Sequence, residues 1–172
     1  MRKELQEKLY EKYPKIFPDP SNKNSLMCWG LICGDGWFGL IDTLCMTVQG
    51  HLDWQNCEGQ YEHMAEHRKD DHEPVPQLVA VQVKEKFGTL RFYCMGGDEY
   101  SRGVITVIEN MSARTCEGCG NPGEVRRHSW VATRCQPCEE KWKIDNAERL
   151  ERERIEREAR QAAADLEKTG KD

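Results

Sequence analysis

The residues of this sequence with the most specific chemistry are four cysteines arranged as two C-x2-C pairs. Cys116 and Cys119 form the first pair, Cys135 and Cys138 form the second, and residues 120–134 lie between them. A two-residue spacer lets both sulfurs of a pair reach the same cation, and four thiolates are a ligand set of structural zinc. The spacing of the two pairs is typical of zinc sites. The sequence therefore predicts one zinc ion per chain, held in a zinc ribbon with short strands between its two knuckles.

Two other groups of potential metal ligands are less well placed. His63, Glu66 and His67 spell H-x-x-E-H, a pattern that holds zinc in some hydrolases when it lies on a helix. Charged flanking residues and the lack of an apolar stripe favour surface histidines in a polar loop instead. A second metal site could combine His51 with the upstream cysteines, but their spacings match no standard site: Cys28, Cys33, Cys45 and Cys57.

Basic residues and one tryptophan are concentrated in and near the cysteine-rich stretch. They are Arg114, Arg126, Arg127, Trp130 and Arg134, and Lys84, Lys86 and Arg91 lie in a hairpin predicted upstream. Basic side chains interleaved with an aromatic ring can bind phosphates and stack a base. The alternative is that Trp130 belongs to the core of the ribbon and that the arginines are solvated.

Groups that could act in catalysis form no recognisable pattern in the sequence. Asp35, Asp42 and Asp53 are too scattered to predict paired-carboxylate chemistry. The turn at residues 34–36 lacks the Lys-Ser/Thr pair that follows glycines in a phosphate-binding loop. We therefore expect a protein that has no catalytic residues and is not an enzyme.

Composition limits the size of the core and indicates the compartment. The 172 residues are 32% charged and 38% hydrophobic, which predicts about one domain with a modest core and an appendage. The net charge of -5 argues against a surface that binds nucleic acid all over. The charged N-terminal stretch is unlike a signal peptide, and no run is apolar enough for a membrane span. These features favour a reduced cytosolic setting, in which paired cysteines are metal ligands rather than disulfides.

Hydrophobic periodicity predicts an α+β fold around these residues. Helical spacing is found over residues 3–13, over 98–112, and in a central stripe of Trp37, Leu40, Ile41, Leu44, Cys45, Val48 and Leu52. Alternating patterns before and after residues 86–88 predict a small antiparallel hairpin. Residues 55–76 are polar and predict a mobile loop with at most one helical turn, and a long charged helix follows Cys138. We expect an α+β domain over residues 1–112, the zinc ribbon over 113–140, and the charged helix, frayed at its end, over 141–172.

Three stretches of the chain resemble a family of uncharacterised proteins of tailed bacteriophages and prophages that carry a C-terminal zinc ribbon. The stretches are MCWGLICGDGWFGLID, VAVQVKEKFGTLRFYCMGGDE, and SARTCEGCGNPG with its later RCQPC. They occur in the family's order and cover most of residues 1–140. The resemblance implies a phage origin, a location in the host cytoplasm and a zinc ribbon, and it brings no assigned reaction.

These observations favour a non-catalytic, zinc-binding accessory protein that binds a host macromolecule. We expect the partner to be a host protein and the effect to be inhibition of a defence or transcription component. The alternative is a protein that binds nucleic acid or a nucleotide through the basic residues of the ribbon and hairpin. A hydrolase built on His63 and His67 is a third and weaker hypothesis. The sequence predicts no membrane partner and does not indicate an oligomeric state.

Overall fold

The computed structural model describes residues 1–22, 25–67 and 73–169, and it confirms the α+β fold class. The chain forms two compact units, Met1–Cys135 and Gln136–Asp172. The described helices are α1 (Lys3–Lys12), α2 (Phe38–Gln55), α3 (Glu99–Ser112) and α4 (Gln136–Thr169). The described strands are β1 (Leu31–Ile32), β2 (Val79–Lys86), β3 (Thr89–Met95), β4 (Glu124–Arg127) and β5 (Val131–Arg134). Short 3₁₀ turns cover Leu26–Trp29, Asp35–Trp37 and Gly59–His67.

The core of the first unit is organised around α2. One stripe of this helix is buried, because apolar residues recur every three or four positions: Ile41, Leu44, Cys45, Val48 and Leu52. Trp37, directly before the helix, is fully buried and has the largest side chain of this core. The helix packs against α3, whose residues Ile105 and Ile108 point into the same core. The stripe predicted from the sequence is thus the central buried face of the fold.

The main sheet has the strand order β1-β2-β3. The predicted hairpin of β2 and β3 is present, and α3 covers its outer edge. Along that edge the Glu109 carboxylate accepts a hydrogen bond from the Phe92 N–H at 2.8 Å, and the Ser112 hydroxyl accepts one from the Leu90 N–H at 2.8 Å. The sequence did not predict β1, which pairs in parallel with Val83 and Lys84. Two residues are too short a segment for alternation to be recognised.

A two-residue turn joins β2 to β3, with Lys86 paired to Thr89 across it. Its central residues, Phe87 and Gly88, both have positive φ angles, of 53° and 79°. This is the backbone of a type I′ hairpin turn, which favours Asn-Gly because most side chains avoid positive φ. A phenylalanine in this conformation is strained, and its ring is 74% exposed.

Two elements differ from the predicted pattern. The last helix begins at Gln136, before Cys138 instead of after it, and Pro137 is tolerated because the first helical turn needs no backbone N–H donor. Within the polar segment, Gly59–His67 forms a 3₁₀ helix, while residues 68–72 lie outside the described part of the chain. Among the described residues, no helix is long and apolar enough to cross a membrane.

Candidate metal centre

The four predicted ligands come together in space. The Sγ atoms of Cys116, Cys119, Cys135 and Cys138 all lie within 4.8 Å of one another. The Sγ atoms of Cys119 and Cys135 are 3.5 Å apart. Zinc–sulfur bonds of about 2.3 Å in a tetrahedron place the sulfurs about 3.8 Å apart, so this donor set fits a single tetrahedral ion. The cluster can therefore bind one metal ion.

The backbone around Cys116 favours its thiolate form. Burial raises the pKa of this thiol, but backbone N–H groups of Cys135, Cys119 and Gly118 point at the sulfur, outweigh burial and lower the pKa to about 7. Amide donors of this kind commonly surround thiolates in metal sites and orient them. Two buried cysteines of the core behave in the opposite way, since burial raises the pKa of Cys33 to about 12 and also raises the pKa of Cys45. Those two thiols are apolar core groups.

The first cysteine pair is clamped by the loop that precedes α2. The Gly36 N–H donates a hydrogen bond to the Glu117 carbonyl at 2.8 Å, and the Gly34 N–H donates one to the Glu117 carboxylate at 2.9 Å. A Cβ atom at Gly36 would overlap the Cys116 carbonyl and the backbone nitrogen of Gly120, and one at Gly34 would overlap the Glu117 carbonyl. Only glycine lets the two backbones approach this closely.

Two further contacts tie the cysteine-rich stretch to the core of the first unit. The indole N–H of the buried Trp37 donates to the Thr115 carbonyl at 2.8 Å. The hydroxyl of the fully buried Thr133, on β5, donates to the Gly88 carbonyl at the hairpin turn at 2.5 Å. Residues 113–135 are thus braced from two sides, by the loop before α2 and by the tip of the β2–β3 hairpin.

The predicted basic cluster is distributed over different parts of the ribbon. In the β4–β5 pair, Arg126 faces Ala132 and lies 3.5 Å from the Glu124 carboxylate, and Arg134 is paired with Glu124 in the register. Arg127 pairs with Val131 and is exposed, as is Arg114 in the turn after α3. Trp130 is 63% exposed and is therefore not a core residue of the ribbon.

Other candidate ligands remain apart. In the 3₁₀ segment His63, Glu66 and His67 are exposed, and with three residues per turn the two histidines do not align. Within the described residues, the four cysteines are the one group of three or more metal-binding side chains close enough together to share an ion. His51 does not join the upstream cysteines; its Nε2 lies 2.7 Å from the Asp98 carboxylate.

Comparisons of this chain with protein-family models, curated protein sequences and solved structures gave no match. The resemblance to phage and prophage proteins therefore stays a prediction. The residues that sequence reasoning missed are Gly34, Gly36 and Trp37, which hold the first cysteine pair. The sequence did contain a signal for them, the pattern G-D-G-W in one of the three stretches that resemble the phage proteins. This pattern lacks the residues of a phosphate-binding loop, so the presence of its glycines needed another explanation.

Proposed function

We propose that this chain is a zinc-stabilised, non-catalytic binding protein, encoded by a tailed phage or prophage, that acts in the host cytoplasm on a host protein. The four-cysteine cluster carries the proposal. Four thiolates match zinc best, and a site with four protein ligands leaves no open position for substrate or water. In this proposal the ion supports the fold, and an exposed surface of the first unit performs the function.

The surface best suited to a protein partner is an apolar groove between α2 and α3. It encloses about 540 Å³, and none of its lining residues is charged: Thr43, Thr47, Tyr100, Gly103, Val104, Val107, Ile108 and Met111. Val107 is 57% exposed and Met111 47%. Exposed apolar side chains grouped in this way are typical of protein-binding surfaces.

Two carboxylates elsewhere on α2 form ion pairs with lysines of the first unit. Asp42, on α2, lies 2.7 Å from the Lys12 ammonium, and Asp53 lies 2.9 Å from that of Lys15. A concave, neutral groove suits an amphipathic helix of another protein, which inserts its apolar face. A host defence or transcription component that presents such a helix is the partner we propose.

Affinity capture from a bacterial host lysate tests this proposal. Tagged full-length protein should retain a host protein after nuclease treatment. Val107→Asp should abolish the capture, because a charge in the groove would be buried without a partner. Thr106→Asp, which adds the same charge to the same helix outside the groove, should leave the capture unchanged.

Three results would contradict the proposal. They are capture that nuclease abolishes, capture that Val107→Asp does not affect, and a stable dimer in sedimentation that Val107→Asp dissociates. The last result would assign the groove to a second copy of the chain.

A further inference from the structure

The outward face of the β2–β3 hairpin carries three basic side chains and one aromatic ring. Directly opposed residues of an antiparallel pair share a face, and the register pairs Gln82 with Tyr93, Lys84 with Arg91, and Lys86 with Thr89. The opposite face holds Val83, Leu90 and Phe92, which are buried in the core. The outward face of the hairpin therefore has three basic side chains and no carboxylate among these six strand residues.

Two lysines of this face lie against exposed aromatic rings. The Lys84 ammonium is 5.6 Å from the centre of the Tyr93 ring, and the Lys86 ammonium is 5.6 Å from the centre of the Phe87 ring. Tyr93 is 41% exposed. Beyond the turn, Phe87 and Lys86 share a cleft of about 330 Å³ with Trp130 of the ribbon and with Glu85, whose carboxylate accepts a hydrogen bond from the Gly88 N–H. Three exposed aromatic rings therefore lie on the hairpin and beside its tip, and two of them have an ammonium group close to the ring.

Two features of this surface reduce the stability of the fold. Lys84 and Arg91 are like charges directly opposite each other on neighbouring strands, an arrangement that destabilises a sheet. The Glu109 carboxylate forms an ion pair with the Arg91 guanidinium at 3.8 Å, which offsets part of this repulsion. Phe87 adds the cost of a positive φ angle while its ring stays exposed. Neither feature contributes to the core, so both are better explained by a ligand that binds here.

We propose that this face binds single-stranded nucleic acid, with Tyr93, Phe87 and Trp130 as stacking platforms and Lys84 and Lys86 as phosphate contacts. Every base offers a flat face for stacking on an exposed ring, and a basic surface follows the phosphate chain. Four residues of β2 separate the position opposite Tyr93 from the turn, which is about 13 Å of strand. That length suits an extended strand that stacks bases at both ends of the face. A duplex offers no free base faces to these rings.

This inference goes beyond the proposed protein partner and uses a different surface. The apolar groove is formed by α2 and α3, and none of its lining residues belongs to the hairpin. Val107→Asp therefore tests the groove and leaves the stacking platforms unchanged. A failure of one proposal does not decide the other.

Fluorescence anisotropy with the zinc-loaded full-length protein tests the inference. The probe is a labelled oligothymidylate of about 20 nucleotides, long enough for a site of this size. Tyr93→Ala should weaken binding by about 5- to 100-fold, as expected for the loss of one stacked base. Lys84→Ala combined with Lys86→Ala should reduce the slope of log K against log salt by about 1.4, because each phosphate contact on a single strand contributes about 0.7. Lys3→Ala combined with Lys8→Ala removes the same charge from α1 and should leave binding nearly unchanged.

Several outcomes would overturn the inference. Binding that Tyr93→Ala leaves intact while the lysine changes weaken it would indicate a general polyanion surface without stacking. Equal affinity for a duplex of the same length would exclude the proposed use of the aromatic rings. No binding at about 50 mM salt, where electrostatic contacts are strong, would reject the site altogether.

Discussion

At the scale of single residues, the metal site depends on positions where a side chain is missing. Gly36 and Gly120 face each other where the loop before α2 meets the first cysteine pair. A methyl group at Gly36 would overlap backbone atoms, which cannot move aside as the end of a flexible side chain can. Gly50, in the interior of α2, has no heavy atom within 4 Å of the position where its Cβ would lie. Gly36 therefore permits a close backbone approach that a side chain would prevent, whereas Gly50 has no such role.

Replacing each glycine by alanine should have opposite effects on stability. Gly36→Ala should lower the free energy of unfolding by about 2 kcal/mol or more, because overpacking against backbone forces the loop and the cysteine pair apart. Gly50→Ala should raise it by about 0.5–1 kcal/mol, since alanine restricts the unfolded chain and favours the helix. Urea unfolding of the zinc-loaded proteins measures both. Equal effects of the two changes would contradict the close approach at Gly36.

At the scale of elements, periodicity predicted those that bury one face over many residues. These elements are α2 with its apolar stripe, the β2–β3 hairpin and α3. The four-cysteine site was predicted in a different way, from the spacing of its residues along the chain. Periodicity could not predict β1, whose two residues are defined only by their pairing with a distant strand. It also could not predict the contact between Trp37 and the Thr115 carbonyl, because nothing local to either residue indicates it. Contacts of this kind arise from tertiary packing rather than from local pattern.

Asp98 connects two helices and gives the fold a pH dependence that can be measured. Its carboxylate caps α3 by accepting hydrogen bonds from the Ser101 N–H at 2.9 Å and hydroxyl at 2.8 Å, and it lies 2.7 Å from His51 of α2. The His51 ring also stacks on Tyr100, with 4.2 Å between ring centres. Partial burial raises the pKa of Asp98, but the hydrogen bonds from His51 and Ser101 outweigh it and lower the pKa to about 2.

The sign of the resulting effect follows from the lowered pKa. An aspartate in the unfolded chain has a pKa of about 4, so the ionised carboxylate stabilises the folded state above that pH. The contribution should be lost as the pH falls from about 4 toward 2. Asp98→Asn keeps a capping oxygen and removes the charge, so its stability deficit relative to the parent protein should shrink over this window. Chemical unfolding of both proteins at each pH measures the deficit, and acid release of metal affects both alike. A deficit that stays constant from about pH 5 to pH 3 would contradict this assignment.

At the scale of the whole molecule, the cysteine-rich stretch up to Cys135 and the core of the first unit are parts of one structure. Glu117 accepts hydrogen bonds from the Gly34 and Gly36 N–H groups of the loop before α2, and its own N–H donates to the Thr133 carbonyl at 2.9 Å. The Thr133 hydroxyl donates a hydrogen bond to the Gly88 carbonyl in the turn between β2 and β3. A continuous set of hydrogen bonds therefore runs from the loop before the central helix, through Glu117 next to Cys116, to the tip of the sheet. Loss of the metal should therefore destabilise both the loop before α2 and the turn between β2 and β3.

Removal of the metal should accordingly destabilise the whole first unit in a single transition. Elemental analysis of protein purified without added metal should find about one equivalent of zinc. The apparent free energy of zinc binding in small four-ligand sites is about 10–16 kcal/mol, as large as the total stability of many domains. Chelation should therefore lower the melting temperature of α2 and the hairpin together with that of the ribbon, and Cys116→Ser should do the same.

Hydrogen exchange of amides in α2, compared before and after chelation, measures the coupling directly. If those amides kept their protection while only residues 113–135 exchanged faster, the hydrogen bonds through Glu117 and Trp37 would not couple the metal to the core.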